Sequence, residues 1–348
     1  MQQPQPAVRP LKPAPGRGPI FLVGAMGSGT TLLRLILDSH DRIAIPQETG
    51  FMRAYDAHQF IPFKWSGRNW AKRMGWSREE LDDELRAFYE RIFRRYAERS
   101  GKARWGDKTP LHTWHVDDMA RLFPDSVFVG VVRHPGAAVS SNVRRWGEST
   151  DAAISHYRRF TREVIRQTAR RRRRFVLLRF EELVLRPEPV LRELLDWLGE
   201  PWSPAVLEHH VVQRARGGKL KVEGGSRADD PIDPDRVSRW QRTLDARTIS
   251  RIDGRLGRLG EFLGYSFDDP AALAPLRPAG GHVVGGRAVH RRIDAFPDLD
   301  LRTAEAVPPA DGFLHPGRVQ PREVRSGEDA LAVKVWRRMP EPLRRVIR

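Results

Sequence analysis

The sequence predicts an α/β protein: a P-loop type parallel sheet flanked by helices, with a Pro-rich N-terminal tail and an irregular C-terminal appendage. Three observations predict it. Short apolar runs alternate with helical patterns between residues 19 and 268, the mark of βαβ units and a parallel sheet. A glycine-rich turn, Gly24-Ala25-Met26-Gly27-Ser28-Gly29, joins the first run to the first helical pattern. The texture then changes, and the last 79 residues hold ten prolines. The expected division is a flexible tail over 1–18, an α/β domain over 19–268 and an appendage over 269–348.

The first nineteen residues carry six prolines, which suits a loose tail. Pro19–Val23 reads as a short buried strand that stops at Gly24, and a compact helix follows from Thr30 to Ser39. Ser77-Arg78-Glu79-Glu80 has the form of a capping box, in which the Ser oxygen accepts the N3 amide and Glu80 reaches back. Behind it Leu81, Leu85, Phe88, Ile92 and Tyr96 recur at helical spacing, with Gly101 after the end. Ser126–Val132 is a second strand, ended by Arg133-His134-Pro135. Pro135 suits the first position of a helix because its φ is fixed near the helical value. Ile154, Tyr157, Phe160, Val164 and Ile165 mark another amphipathic helix. Phe175–Phe180 is a third strand, and Val190, Leu191, Leu194 and Leu195 lie on the helix after it. Residues 235–263 read as helical, through Ile249, Ile252, Leu256 and Leu259. Within the appendage His282–Ile293 looks strand-like and the basic end helical.

Composition removes several function classes. The 348 residues contain no cysteine, which excludes disulfides, thiolate catalysis and Cys-ligated metals. No apolar run approaches the roughly 18 residues of a membrane span. The N-terminal stretch lacks the apolar core of a secretory signal, so a cytoplasmic protein is expected. Eleven histidines show no metal-ligand spacing, and His209-His210 read as a helix end, so no metal is expected. The formal charge is +17, from 61 basic and 44 acidic residues, and 53 of the basic residues are Arg. That field suits nucleic acid, polyanionic acceptors or phosphorylated cofactors alike. Its one dense run, Arg170–Arg174, reads as a solvated helix end.

The strand–turn–helix context of Gly24–Thr31 points to a phosphate. Glycines let successive N–H groups turn inward, and the helix N-terminus adds about half a positive charge. Thr30 and Thr31 add hydroxyls. The spacing nearly meets GxxxxGK[ST], but Thr30 stands where the triphosphatase lysine belongs. A nucleotide with a single 5′-phosphate group therefore fits better than a triphosphate.

Gly24–Thr31 followed by Leu32-Leu33-Arg34-Leu35-Ile36-Leu37-Asp38-Ser39-His40 resembles the 5′-phosphosulfate loop of sulfotransferases that use 3′-phosphoadenosine 5′-phosphosulfate (PAPS). It is most similar to the bacterial and tyrosylprotein sulfotransferase-like branch. That family usually carries Arg or Lys where this chain has Gly27. Arg133 and Ser141, eight positions apart, resemble the family's 3′-phosphate site. Trp105-Gly106-Asp107-Lys108-Thr109-Pro110 resembles a segment of bacterial members and implies an ammonium, Lys108, near the transferred group. Phe175–Phe180 with Glu181-Glu182-Leu183-Val184 resembles a strand end in which Phe180 replaces the usual Tyr. Arg239-Trp240 resembles the segment before the family's last helix. A cofactor-binding Lys expected upstream has only Lys219, Lys221 and Arg227 as neighbours.

The resemblance implies a sulfotransferase that binds PAPS through Gly27, Ser28, Gly29, Thr30, Thr31, Arg133 and Ser141. It also implies a catalytic glutamate, which falls on Glu48 in Ile45-Pro46-Gln47-Glu48-Thr49. Asp107 and His112 are the other candidate bases. The acceptor stays open among small molecules, glycans, lipids and peptides, offering a hydroxyl or an amine. Aromatic residues between 51 and 100, among them Phe51, Tyr55, Phe60, Phe63, Trp65, Trp70 and Trp76, either stack on it or pack. Two other readings remain: a P-loop nucleotide kinase or triphosphatase, which Thr30 disfavours, and a non-catalytic nucleic-acid binder using the charge, which is not favoured.

Overall fold

Five parallel strands whose residues are all buried make up most of the sheet, so helices must cover both of its faces. A computed structural model describes residues 17–59, 70–216, 230–277 and 280–304. These residues belong to one compact unit ending at Glu305. The first half runs β1 (Ile20–Gly24), α1 (Thr30–Asp38), β2 (Ile43–Ala44), α2 (Phe51–Gln59), α3 (Trp70–Arg73), α4 (Arg78–Arg99), β3 (Arg104–Lys108), α5 (Val116–Leu122) and β4 (Val127–Val132). It continues through α6 (Pro135–Trp146), α7 (Thr150–Arg170), β5 (Phe175–Arg179), α8 (Phe180–Leu185), α9 (Pro187–Leu198) and α10 (His209–Ala215). The last elements are α11 (Arg239–Thr243), α12 (Ala246–Phe262), β6 (Val283–Gly285) and α13 (Gly286–Asp294).

The strand order is β2-β3-β1-β4-β5-β6, with only β6 antiparallel. Alternation along β1 and β4 sorts the core by chemistry. Ile20, Leu22, Val127, Val129 and Val131 join an aliphatic layer with α1 and α9. Phe21 and Phe128 point the other way, into an aromatic layer. There Phe21 meets Phe51, Trp105 and Phe123, and Phe128 stacks on Phe175. After β1 the chain moves toward β2, and after β4 it moves toward β5. The carboxyl ends of these adjacent strands therefore border the crevice where sheets of this kind bind ligands.

Several expectations differ from the structure. α4 buries Leu81, Leu85, Tyr89, Phe93 and Ala97, while Phe88, Ile92 and Tyr96 face outward. Two apolar stripes adjoin on this helix, and Trp105 selects one by stacking on Phe93 at 4.5 Å between ring centres. The capping box at Ser77 forms as expected, with Glu80 N 3.1 Å from Ser77 Oγ. The helical span expected over 235–263 is broken: Leu244 is extended, and Asp245 caps α12 by accepting from Thr248 N at 2.8 Å.

The appendage expected from 269 also differs. Val283–Gly285 adds the sixth strand beside β5, and α13 follows where a strand-like piece was read. Val283 and Val284 complete the sheet edge, while Val289 and Ile293, four apart, bury one face of α13. The 1–18 tail, apart from its last two residues, and the basic C-terminal helix lie outside the described residues, as do Phe60, Phe63, Trp65, Lys219, Lys221 and Arg227. No helix among the described residues is long and apolar enough to cross a membrane.

Candidate active site

Every site residue read from the sequence lies along the carboxyl edge of the sheet. Gly27–Thr31 follow β1, Glu48 lies beyond β2, Lys108 ends β3, and Arg133 follows β4. The structure brings them into two adjoining groups.

The first group joins the phosphate loop to α6. Gly27 and Gly29 have φ of 78° and 99°, which glycine adopts without strain. A Cβ on Gly27 would stand 3.1 Å from both Ala138 O and Asn142 Oδ1, and 3.3 Å from Ser141 Cβ. The turn thus lies directly on α6, and a side chain there would press on Ala138 O and the Asn142 amide. A Cβ on Gly29 would overlap the Phe180 ring, so Phe180 supports the loop by contact. Arg133 donates to Gly27 O at 3.1 Å and to Arg236 O at 2.8 Å, and its guanidinium lies 4.2 Å from the centre of the Phe180 ring. Phe180 therefore acts through its ring face, which a hydroxyl is not needed to supply.

Arg133 is partly open to solvent, yet dense surroundings push its pKa down to about 10. Glu181 supports its charge from nearby. No carboxylate among the described residues makes an ion pair with it, and its buried Nε has no hydrogen-bond partner there. Ser28 Oγ, fully buried in the loop, is also without a partner. Ser141 is 7% exposed, one helical position from Ser140, whose Oγ lies 3.1 Å from Thr243 Oγ1.

His134 forms the floor behind Arg133. Its Nδ1 accepts from Gly136 N at 3.1 Å and caps α6, and its Nε2 lies 3.1 Å from Ser266 O. These partners fix the neutral tautomer with the proton on Nε2. Burial lowers its pKa to about 4. Trp240 stacks on the ring at 4.6 Å. Glu181, fully buried, accepts from His134 N at 2.9 Å and from Tyr265 OH at 2.8 Å, and burial raises its pKa.

The second group joins β3 to the segment after β2. Lys108, with no exposed surface, approaches Thr31 Oγ1 at 3.2 Å and pairs with the Glu48 carboxylate. A cation absent from the loop sequence thus reaches the loop from a neighbouring strand. Asp107 accepts from Thr49 Oγ1 at 2.6 Å. His112 Nδ1 stands 2.8 Å from Asp107 Oδ2 but is poorly aligned for a hydrogen bond. Its Nε2 accepts from Met52 N at 3.4 Å. Both side chains are buried and tied to the 49–52 segment, Asp107 through the Thr49 hydroxyl and His112 through the Met52 N–H. The turn from α1 into β2 is held by Asp38, whose Oδ1 accepts from Ile45 N at 2.9 Å and which pairs with Lys102, Gln213 and Arg216.

Sequence reasoning missed Asp38 as an anchor, Thr49, Thr113, which accepts from Gly24 N at 3.1 Å, and Asn142. It also missed β3 as a strand. Three of its five residues are charged, and a polar run carries no strand signal. The aromatic residues Phe51 and Tyr55 pack in the interior, 6% and 1% exposed, and line no acceptor surface. No cluster of potential metal ligands occurs among the described residues.

Comparison with known proteins shows which family the chain belongs to. The sulfotransferase family model matches residues 19–204. Protein-tyrosine sulfotransferase 1 of Danio rerio is 30% identical over 256 residues, covering 69% of this chain and 71% of that protein. The Drosophila melanogaster protein-tyrosine sulfotransferase is 30% identical over 270 residues, covering 74% and 52%. A solved sulfotransferase domain from the curacin biosynthetic pathway is 20% identical with a TM-score of 0.49, covering 71% of this chain and 99% of that one. With a family match over more than half its length, the chain belongs to the sulfotransferase family.

Proposed function

We propose that the sulfuryl donor is PAPS and that the acceptor is a tyrosine hydroxyl of a peptide. One observation carries the donor assignment. Arg133 makes no ion pair among the described residues and stands beside the phosphate loop, so a second cationic group is at hand for an anion. A nucleotide phosphorylated at both 3′ and 5′ positions offers one phosphate to the loop and one to Arg133, and the loop lacks the lysine that a triphosphate uses. Gly27, Ser28, Gly29, Thr30 and Thr31 hold the 5′ side, while Arg133 and Ser141 hold the 3′-phosphate. The names of the Danio and Drosophila relatives support the acceptor class.

When bound, the donor supplies an activated sulfuryl group. Glu48 takes the proton of the acceptor hydroxyl on a carboxylate oxygen. Lys108 Nζ, held beside Thr31, stabilises the charge that develops on the departing phosphate oxygen. Asp107 and His112 act as positioning residues, since Asp107 Oδ1 holds Thr49 and His112 Nε2 holds Met52 N. The test has two arms. Calorimetry should show adenosine 3′,5′-bisphosphate binding more tightly than ATP or adenosine 5′-phosphate. Labelled sulfate should pass from PAPS to tyrosine peptides in preference to glycans or simple alcohols. Equal binding of all three nucleotides removes the donor assignment, and transfer confined to another acceptor removes the tyrosine assignment.

A further inference from the structure

Asn142 stands near the middle of α6, where its short polar side chain costs helix stability. It is completely buried. Neither its Nδ2 nor its Oδ1 has a hydrogen-bond partner among the described residues. A buried primary amide with both ends unpaired is a large penalty, and native proteins satisfy such groups or use them. Its neighbour Ser140 is satisfied by Thr243.

The amide lies under the turn of the phosphate loop. Its Oδ1 is 3.1 Å from the position a Gly27 Cβ would take. One further orphaned group belongs to the same turn: Ser28 Oγ, fully buried. Nδ2–H and Oγ–H are both donors. Two unpaired donors at one glycine turn are complementary to oxyanion oxygens, and Oδ1 is left to accept a loop N–H.

We propose that Asn142 is a further binding residue for the 5′-phosphate side of the donor nucleotide. Its amide pairs with that phosphate group and with the loop only when the nucleotide is present. The proposal rests on the donor assignment above. It also suits Gly27: a Cβ at that position would press on the amide at 3.1 Å.

Asn142→Leu tests it, because Leu keeps the branched shape and removes both polar ends. The melting temperature without ligand should stay level or rise, since an unsatisfied amide is lost. Affinity for adenosine 3′,5′-bisphosphate and for adenosine 5′-phosphate should fall about tenfold, the usual worth of one lost hydrogen bond to a charged group. Affinity for adenosine 3′-phosphate should not change. Asn142→Ala is measured alongside, and its readout is the same contrast between 5′ and 3′ nucleotides, which loss of packing does not produce. Unchanged affinity in both variants overturns the proposal. So does an equal loss for all three nucleotides, or a lower unliganded melting temperature for Asn142→Leu, either of which makes the amide part of the folded framework. Failure of the unsubstituted protein to bind the bisphosphate would instead reject the donor assignment.

Discussion

Thr49 Oγ1 donates a 2.6 Å hydrogen bond to Asp107 Oδ1, which ties the loop carrying Glu48 to the strand carrying Lys108. The acid and the ammonium are therefore set relative to each other by their immediate chain neighbours. Glu48→Gln keeps the shape of the side chain but cannot take a full proton. It should lower kcat by about 10²–10⁴-fold with nucleotide affinity nearly unchanged. Asp107→Asn retains an acceptor oxygen for Thr49, so its loss should be much smaller. Acceptors of low hydroxyl pKa should partly rescue Glu48→Gln and leave Asp107→Asn as it was. Steady-state kinetics on a phenolic and an alcoholic acceptor separates the roles, and near-normal turnover of Glu48→Gln on the alcohol would pass the base to Asp107 or His112.

Arg133 is the cation proposed for the 3′-phosphate. Arg133→Ala should weaken adenosine 3′,5′-bisphosphate by roughly 1.5–3 kcal/mol, the range for a charge-assisted hydrogen bond. Adenosine 5′-phosphate should lose far less. Titration calorimetry of both nucleotides makes the comparison, and an equal loss for the two would place Arg133 elsewhere.

Stability should depend on pH through His134. Its folded pKa, about 4, lies below the unfolded value of 6.5, so the unfolded chain binds more protons between these limits. The contribution is fully present above pH 6.5 and is lost as pH falls toward 4, amounting to roughly 3 kcal/mol. Glu181 is shifted upward by burial and acts in the opposite sense, costing stability as pH rises above the carboxylate range. His134→Gln removes the first effect alone. Chemical denaturation at pH 7.5 and 5 should show a smaller difference for that variant than for the unsubstituted protein.

Gly29→Ala should be the more damaging of the two loop substitutions. A methyl there meets the Phe180 ring at a φ of 99°, whereas at Gly27 it meets Ala138 O and Asn142 at 3.1 Å. Each should cost about 1–3 kcal/mol from strained backbone, and Gly29→Ala should additionally displace Phe180 from beneath Arg133. Thermal melts give the stability, and bisphosphate binding gives the displacement.

Ending the chain after Phe267 removes β6 and α13 and exposes the β5 edge with one side of α7. A cooperative melt should be lost or shifted well down. A chain ending at Ala304 should keep it, since the compact unit closes at Glu305. A normal melt for the shorter chain would restore the boundary expected near 268.

Parts of this site were legible because their signals are local. The phosphate loop needs glycines between a strand and a helix, and both flanks announce themselves within a few residues. Arg133 follows a six-residue apolar strand and stands two positions before Pro135, so its place at a strand end follows from neighbours alone. Glu48 and Lys108 came through family resemblance, and their pairing lies 60 residues apart in the chain, beyond any window of periodicity.

The sequence by itself determined the α/β class, the loop and the strand ends, because backbone chemistry and hydrophobic period act over short spans. Tertiary structure decided the rest. β3 is a buried strand despite Arg104, Asp107 and Lys108, because their charges find partners elsewhere: Arg104 donates to Leu198 O at 2.7 Å and to Glu200 at 3.2 Å. α4 offered two apolar stripes, and the Trp105 and Phe51 rings across from it chose between them. Val283–Gly285 has too few residues to declare a strand, and the open edge of β5 made it one. Asn142 reads as an ordinary polar residue until α6 is laid against Gly27. In each case the deciding energy is a long-range pairing or contact, which a chain expresses only once it is folded.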